Sequence, residues 1–259
     1  MSRKQHKRKQ ARQNQRGASH ASYAAPHERT SEAYDSMVAR GYKNEHLSAK
    51  TPNQREYMRA IRNNDVVLAH GPPGTGKTHI ATGIAVQMIR AKEIEKIIVC
   101  RPVVPVGRDI GFLPGGIEEK LGPYLRPLFD ELEVYCEKSL LKIWMDSGKL
   151  EICPLAAMRG RTFKNACIVL DEAQNATRKE LKMFFTRFGF GSKVIAVGDL
   201  NQSDLHYEDE GGFGEAIGLL RGLEGLQIVE LTSSDIVRHK LTSEIDKRLS
   251  RRDNECQAV

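Results

Sequence analysis

Aromatic side chains are scarce in this chain of 259 residues: they make up 6% of it, with one tryptophan, Trp144. No apolar run approaches the roughly 18 residues that a bilayer span needs. No apolar segment follows the N-terminus, so neither a secretory signal nor a membrane anchor is expected, and the location indicated is cytoplasmic. No two cysteines stand in CxxC spacing. The five, Cys100, Cys136, Cys153, Cys167 and Cys256, are far apart and odd in number. That suits buried free thiols in a reducing compartment and not a disulfide framework. The eight histidines show neither HxxxH nor HExxH spacing, so no metal centre built from protein side chains alone is expected.

What is present is a soluble globular composition, 40% apolar and 28% charged. The net charge of +7 is concentrated at one end. Arg3, Lys4, Lys7, Arg8, Lys9, Arg12 and Arg16 stand in the first 16 residues with no acid among them. Taking these seven from the 40 basic residues leaves 33, matched by the 33 acids. Residues 1–48 show no sustained periodicity and read as a basic tail, disordered or helical only on contact. Such an arm either solubilises the chain or anchors it to nucleic-acid phosphates. Residues 49–259 read as one domain.

Within that domain, β-branched runs alternate with longer helical stretches. Strands are expected at Val66–Ala69, Lys96–Cys100, Leu150–Cys153, Ala166–Leu170, Lys193–Val197 and Gln227–Leu231. Helices are expected at Lys77–Ala91, Ile117–Met145, Arg178–Arg187, Phe213–Leu220 and after Ser234. Strands apolar through their middles, alternating with helices, predict an α/β fold: a doubly wound parallel sheet with helices on both faces.

Directly after the first strand stands Gly71-Pro72-Pro73-Gly74-Thr75-Gly76-Lys77-Thr78, a full GxxxxGK[ST] phosphate loop between a strand and a helix. The glycines let consecutive N–H groups face inward as an anion cradle. The helix start and Lys77 reach the β- and γ-phosphates, and Thr78 ligates Mg²⁺. About 90 residues on, Ile168-Val-Leu-Asp171-Glu172-Ala-Gln174 ends an apolar strand in two acids. Asp171 suits the Mg²⁺ shell and Glu172 the activation of a water for in-line attack on γ-phosphate. The separation places an extra strand between the two motifs, which speaks for hydrolysis and against a small-molecule kinase. Gly198-Asp199-Leu-Asn-Gln202 follows another strand and suits a γ-phosphate sensor through Gln202. Arg238, after the last strand, is a candidate to neutralise transition-state charge. Upstream, Gln54 is placed to read an adenine edge, with Tyr57 near the base. Arg101, Arg108, Arg159 and Arg161 follow strand ends or lie in loops. There they are structural ion pairs or ligands for nucleotide, a neighbouring subunit or a nucleic-acid strand.

The order of these signatures resembles the PhoH family of phosphate-starvation-inducible P-loop ATPases over about residues 50–250. Its most specific stretches are Arg101-Pro-Val-Val-Pro-Val-Gly107, Met158-Arg-Gly-Arg161-Thr-Phe, Asp171-Glu-Ala-Gln174-Asn, Gly198-Asp-Leu-Asn-Gln202 and Ile236-Val-Arg238-His239. The motifs are also similar to the first motor domain of superfamily 1 helicases. The resemblance implies a RecA-like core that binds ATP with Mg²⁺, hydrolyses it and works in RNA handling. Lys77, Thr78, Asp171, Glu172, Gln202 and Arg238 match the family pattern. One motor domain cannot grip a strand alone, so a homo-oligomer is expected, with a ring of six the simplest closed arrangement in which Arg238 acts in trans. The leading expectation is an ATPase coupled to RNA or single-stranded DNA. The alternative is a nucleotide-driven regulator that remodels a protein partner without nucleic acid.

Overall fold

The computed structural model describes residues 34–103, 117–203, 205, 212–237 and 241–242, with the main chain alone for 117–121. The chain divides into two units, Met1–Arg40 and Gly41–Val259. Of the first, residues 34–40 are described and are helical. The basic arm, Arg108, Arg238 and Cys256 lie outside the described residues.

Six strands form one sheet in the second unit: β1 (Val66–His70), β2 (Lys96–Arg101), β3 (Leu150–Pro154), β4 (Ala166–Leu170), β5 (Lys193–Gly198) and β6 (Leu226–Glu230). Their order is β3-β2-β4-β5-β1-β6, and every neighbouring pair is parallel. The helices are α1 (Pro52–Asn63), α2 (Lys77–Arg90), α3 (Ile117–Tyr135), α4 (Lys138–Asp146), α5 (Arg178–Phe185) and α6 (Phe213–Leu220).

Both faces of the sheet are covered, which is why the strands are apolar without alternation. On one face Leu68, Ile98, Ile168 and Ala196 join Leu181 and Phe184 of α5 and Phe213 and Ile217 of α6 in a single core. Val67, Val99, Val169 and Ile195, pointing the other way, are fully buried on the side of α1, α2 and α3. Only β6, at the edge, keeps a single buried residue, Val229. Trp144 is a core residue, 1% exposed, edge-on to the Tyr42 ring. Cys100, Cys136, Cys153 and Cys167 are buried and free. Burial pushes the thiols of Cys136, Cys153 and Cys167 up to about 12, so they stay protonated at neutral pH.

The expected strands are all present, to within a residue or two at each end. One helical expectation is corrected. The long helix over 117–145 is broken at Cys136 and Glu137, because residues 41–43 pair with the chain there. Lys43 N–H donates to Tyr135 O (2.9 Å) and Glu137 N–H to Gly41 O (2.8 Å). Gly41 is needed for that approach, since a Cβ would lie 2.5 Å from Leu140 Cβ. Helix α1 was not anticipated, although Thr51 caps it and Pro52 opens it. After Ser234 the described chain makes a short 3₁₀ turn, Ser233–Asp235, and is helical at 241–242; the rest of the helix expected there lies outside the described residues. Among the described residues no helix is long and apolar enough to cross a membrane.

Candidate active site

The carboxyl ends of β1, β5 and β4 lie side by side, and ligands of open α/β sheets bind beyond such ends. β1 delivers the chain to the Gly71–Thr78 loop. Gly71 N–H donates to Gly198 O (3.2 Å), and Leu231 N–H to His70 O (2.8 Å). At Gly71, with φ 149°, a Cβ would sit 2.0 Å from the Leu231 carbonyl oxygen. Gly74 and Gly76 take φ of 80° and 82°, conformations that other residues adopt at a cost. Gly76 caps α2 with no side chain over the helix end. The first-turn N–H groups are left to an anion.

A pocket of about 550 Å³ opens over the loop. Lys77 is 9% exposed, and its Nζ donates to the carbonyls of Gly71 (2.6 Å) and Pro72 (2.8 Å). Thr78 Oγ1 donates to Asp171 Oδ1 at 2.6 Å, so residues 93 positions apart meet at one point. The expected extra strand is β5, which lies between β1 and β4 in the sheet. Glu172 follows Asp171 in a left-handed conformation, φ 53°, sparsely populated for a non-glycine residue. Its Oε2 accepts from Gln174 Nε2 (2.6 Å), while Gln174 Oε1 accepts the Asp199 N–H (3.0 Å). Gln174 thereby ties the end of β4 to the end of β5. Gly198 leaves it room, since a Cβ there would lie 2.7 Å from Gln174 Oε1.

Gln202 lines the same pocket on the far side, its N–H bonded to Asp199 O (3.3 Å). Gln54 also lines it, but its amide is engaged: Nε2 donates to Thr75 O (3.0 Å) and Oε1 accepts from Lys50 N–H (2.8 Å). Tyr57 is corrected. It is fully buried under the loop, donates to Lys77 O (3.3 Å) and does not line the pocket. Of the loop arginines, Arg101 donates to Asp171 Oδ2 from Nη2 (2.6 Å) and Nε (3.1 Å). Arg161 is held by Glu151 and lies over the Phe163 ring, an ion pair away from the pocket. Arg159 is exposed.

Three functional placements were not foreseen. Gln174 stands in the Asp171–Asn175 motif, which by itself gives it no task. Asp235, 1% exposed, accepts from Thr51 Oγ1 (2.5 Å), Asn53 Nδ2 (2.8 Å) and Thr232 N–H (2.8 Å). It clamps the start of α1 to the turn after β6. Burial works to raise its carboxyl, and the hydrogen bonds from Thr51, Thr232 and Asn53 outweigh this and hold it below the ordinary value. His79, one residue past Thr78, bonds Tyr135 (2.8 Å) and Glu131 (3.3 Å) of α3. Asp235 is an acid in a Ser-Ser-Asp turn signal.

Hard oxygen donors from Thr78 and Asp171 beside an anion cradle fit Mg²⁺ held jointly with phosphate. Among the described residues no three His, Cys, Asp or Glu side chains are grouped to hold a metal without such help.

A model of the PhoH family, described as PhoH-like protein, matches residues 46–250. The chain belongs to the PhoH family. Among relatives of that family it is 48% identical over 199 residues to a PhoH-like protein of Mycobacterium tuberculosis (strain ATCC 25618 / H37Rv), covering 77% of this chain and 56% of that one. It is 44% identical over 212 residues to a PhoH-like protein of Bacillus subtilis, covering 82% and 66%. It is 40% identical over 197 residues to Protein PhoH of Escherichia coli K12, covering 75% and 56%. The chain thus spans less than two thirds of the length of these PhoH relatives. A solved structure similar to part of it is the large terminase from a thermophilic bacteriophage, with a TM-score of 0.47 and 10% identity over 76% of this chain and 50% of that one.

Proposed function

We propose that this PhoH-family chain is a Mg²⁺-dependent ATP hydrolase coupled to RNA or single-stranded DNA. The observation that carries the hydrolase is the meeting of Thr78 Oγ1 and Asp171 Oδ1 at 2.6 Å beside the open end of α2. Lys77 leaves the Gly71 and Pro72 carbonyls to pair with the β- and γ-phosphates. The Gly74–Thr78 N–H groups hold the same oxygens. Thr78 and Asp171 hold the metal, which when bound neutralises charge on the phosphates. Glu172, aimed by Gln174, takes the proton of the attacking water, and Gln202 contacts the γ-phosphate from the turn after β5. Lys50, Gln54, Pro73 and Val237 form the wall left for the base. Arg238 of a neighbouring copy, in a ring of six, supplies the remaining positive charge.

Coupling to nucleic acid is supported by the charge distribution, a basic arm on an otherwise neutral chain. The test is ATP turnover with and without single-stranded RNA and DNA at two salt concentrations. Stimulation that fades as salt rises is expected, because phosphate contacts release counterions. Removal of residues 2–16 should weaken polymer binding and leave turnover without polymer unchanged. Turnover that no polymer affects would instead support remodelling of a protein partner. Light scattering with ATP that found only monomers would remove the ring.

A further inference from the structure

Arg101 is the last residue of β2, held in register against Pro154 of β3. Its guanidinium places two donors on one oxygen, Asp171 Oδ2, at 2.6 and 3.1 Å, and reaches Glu172 Oε1 at 3.3 Å. The other oxygen of Asp171 takes the Thr78 hydroxyl. The Arg101 and Asp171 side chains are 18% and 5% exposed, so this pair is largely out of water. One positive charge thus stands against two carboxylates, at the point where the metal of the proposed reaction has to bind.

A guanidinium and a divalent cation compete for such a place. Both seek the same oxygens, and their like charges repel strongly at contact distance in a partly buried site. Leaving Asp171 without either would strand a buried charge. We propose that Arg101 is a place-holder for the metal. It neutralises Asp171 and Glu172 in the nucleotide-free protein and gives up Asp171 when the metal and triphosphate enter together. It is a positioning residue, and its role rests on reading Thr78 and Asp171 as metal donors.

Two features make it displaceable. Its side chain lines the open pocket, so it has room to turn while its main chain stays in the sheet. Apart from the two acids, its anchor among the described residues is one long hydrogen bond, Nη1 to Tyr124 O at 3.3 Å. That carbonyl lies in α3 between Pro123 and Pro127. The consequence is that metal alone binds poorly, and that nucleotide is needed to bring it.

The experiment is a titration of the full chain with Mn²⁺, read by loss of the free-ion electron paramagnetic resonance signal, with and without ADP. Without nucleotide, Arg101→Gln should bind Mn²⁺ about tenfold tighter than the wild type, the effect of removing one nearby like charge. Arg101→Lys, which keeps the charge, should return affinity toward the wild type; a purely structural arginine would not show that rescue. With ADP the difference should narrow. In the unmutated protein, the Arg101 Nε–H should exchange slowly without ligand and lose that protection with Mg²⁺–ADP, which tests the idea even if a variant misfolds. Unchanged Mn²⁺ affinity in Arg101→Gln, or an Nε–H that Mg²⁺–ADP leaves protected, overturns the place-holder while the site assignment stands. Failure of the wild type to bind Mn²⁺ even with ADP overturns both.

Discussion

Replacing Gln174 by Met tests whether the aim of Glu172 is built by the protein. The swap keeps length and apolar volume and deletes both ends of the amide. One end gives a charge-assisted bond to Glu172 Oε2 at 2.6 Å, and the other accepts the Asp199 N–H at 3.0 Å. The Glu172 side chain is 41% exposed, so water replaces the first bond and its loss costs about 1 kcal/mol or less. Asp199 is 6% exposed, and a stranded buried N–H costs about 1–3 kcal/mol. The sum, about 1–4 kcal/mol, corresponds to a fall in Tm of roughly 2–16 °C for a domain of this size. Turnover should fall further than stability. A general base contributes about 10²–10⁴-fold when positioned, and a Glu172 free to rotate forfeits a good part of it, about 10–100-fold in kcat. Nucleotide affinity should stay within about threefold, because Gln174 does not line the pocket. Differential scanning fluorimetry, steady-state phosphate release and titration of a fluorescent ATP analogue measure the three quantities. Wild-type kcat in a protein melting several degrees lower would refute the reasoning, leaving Gln174 a structural tie only.

Glu172→Gln should bind ATP normally and release phosphate about 10²–10³-fold more slowly, whereas Lys77→Ala should lose nucleotide binding; normal turnover in the first removes Glu172 as base. Gly71→Ala should destabilise by several kcal/mol or fail to fold, since its Cβ would lie 2.0 Å from the Leu231 carbonyl oxygen, and a wild-type melting curve would contradict that contact. Asp235 is a carboxylate whose folded value is depressed. Its contribution is therefore complete above the unfolded value of about 4 and is lost as pH falls through the lower folded value. Asp235→Asn should lower stability at pH 7 and flatten the acid limb below about pH 4; equal losses at pH 7 and pH 2 in denaturant titrations would refute the sign.

The fold was legible because both faces of the sheet are buried. That demand writes itself into β4 as Ala-Cys-Ile-Val-Leu, all at 1% exposure or less, and into its parallel neighbours as similar runs. The phosphate loop was legible because its chemistry constrains consecutive residues. Tertiary pairing was not. The break at Cys136 is made by residues 41–43, and no local propensity at 136 or 137 announces it. Asp235 and Thr51 are 184 positions apart, and the sequence carries no sign that they meet. Gln54 and Tyr57 were located correctly before β1, but their tasks depended on which way α1 turns. Its inner face packs under the loop, so Gln54 spends its amide on Thr75 O and Tyr57 its hydroxyl on Lys77 O.

Several contacts hold the phosphate loop. Gln54 holds it at Thr75, Val237 N–H at the Gly74 carbonyl (3.0 Å) and Gly198 O at the Gly71 N–H. Asp235 in turn binds the α1 end of this frame to the β6 end. Among the described residues no buried side-chain nitrogen or oxygen lacks a partner. The polar groups of the site are therefore satisfied by one another: Lys77 on loop carbonyls, Thr78 and Arg101 on Asp171. A triphosphate entering such a site changes the partners of three side chains and leaves the loop backbone where the outer frame holds it. Binding then avoids most of the entropy of ordering a glycine-rich segment, which at about 1–2 kcal/mol per residue would otherwise oppose it. The glycines supply the shape, and α1, β5 and the turn after β6 keep it.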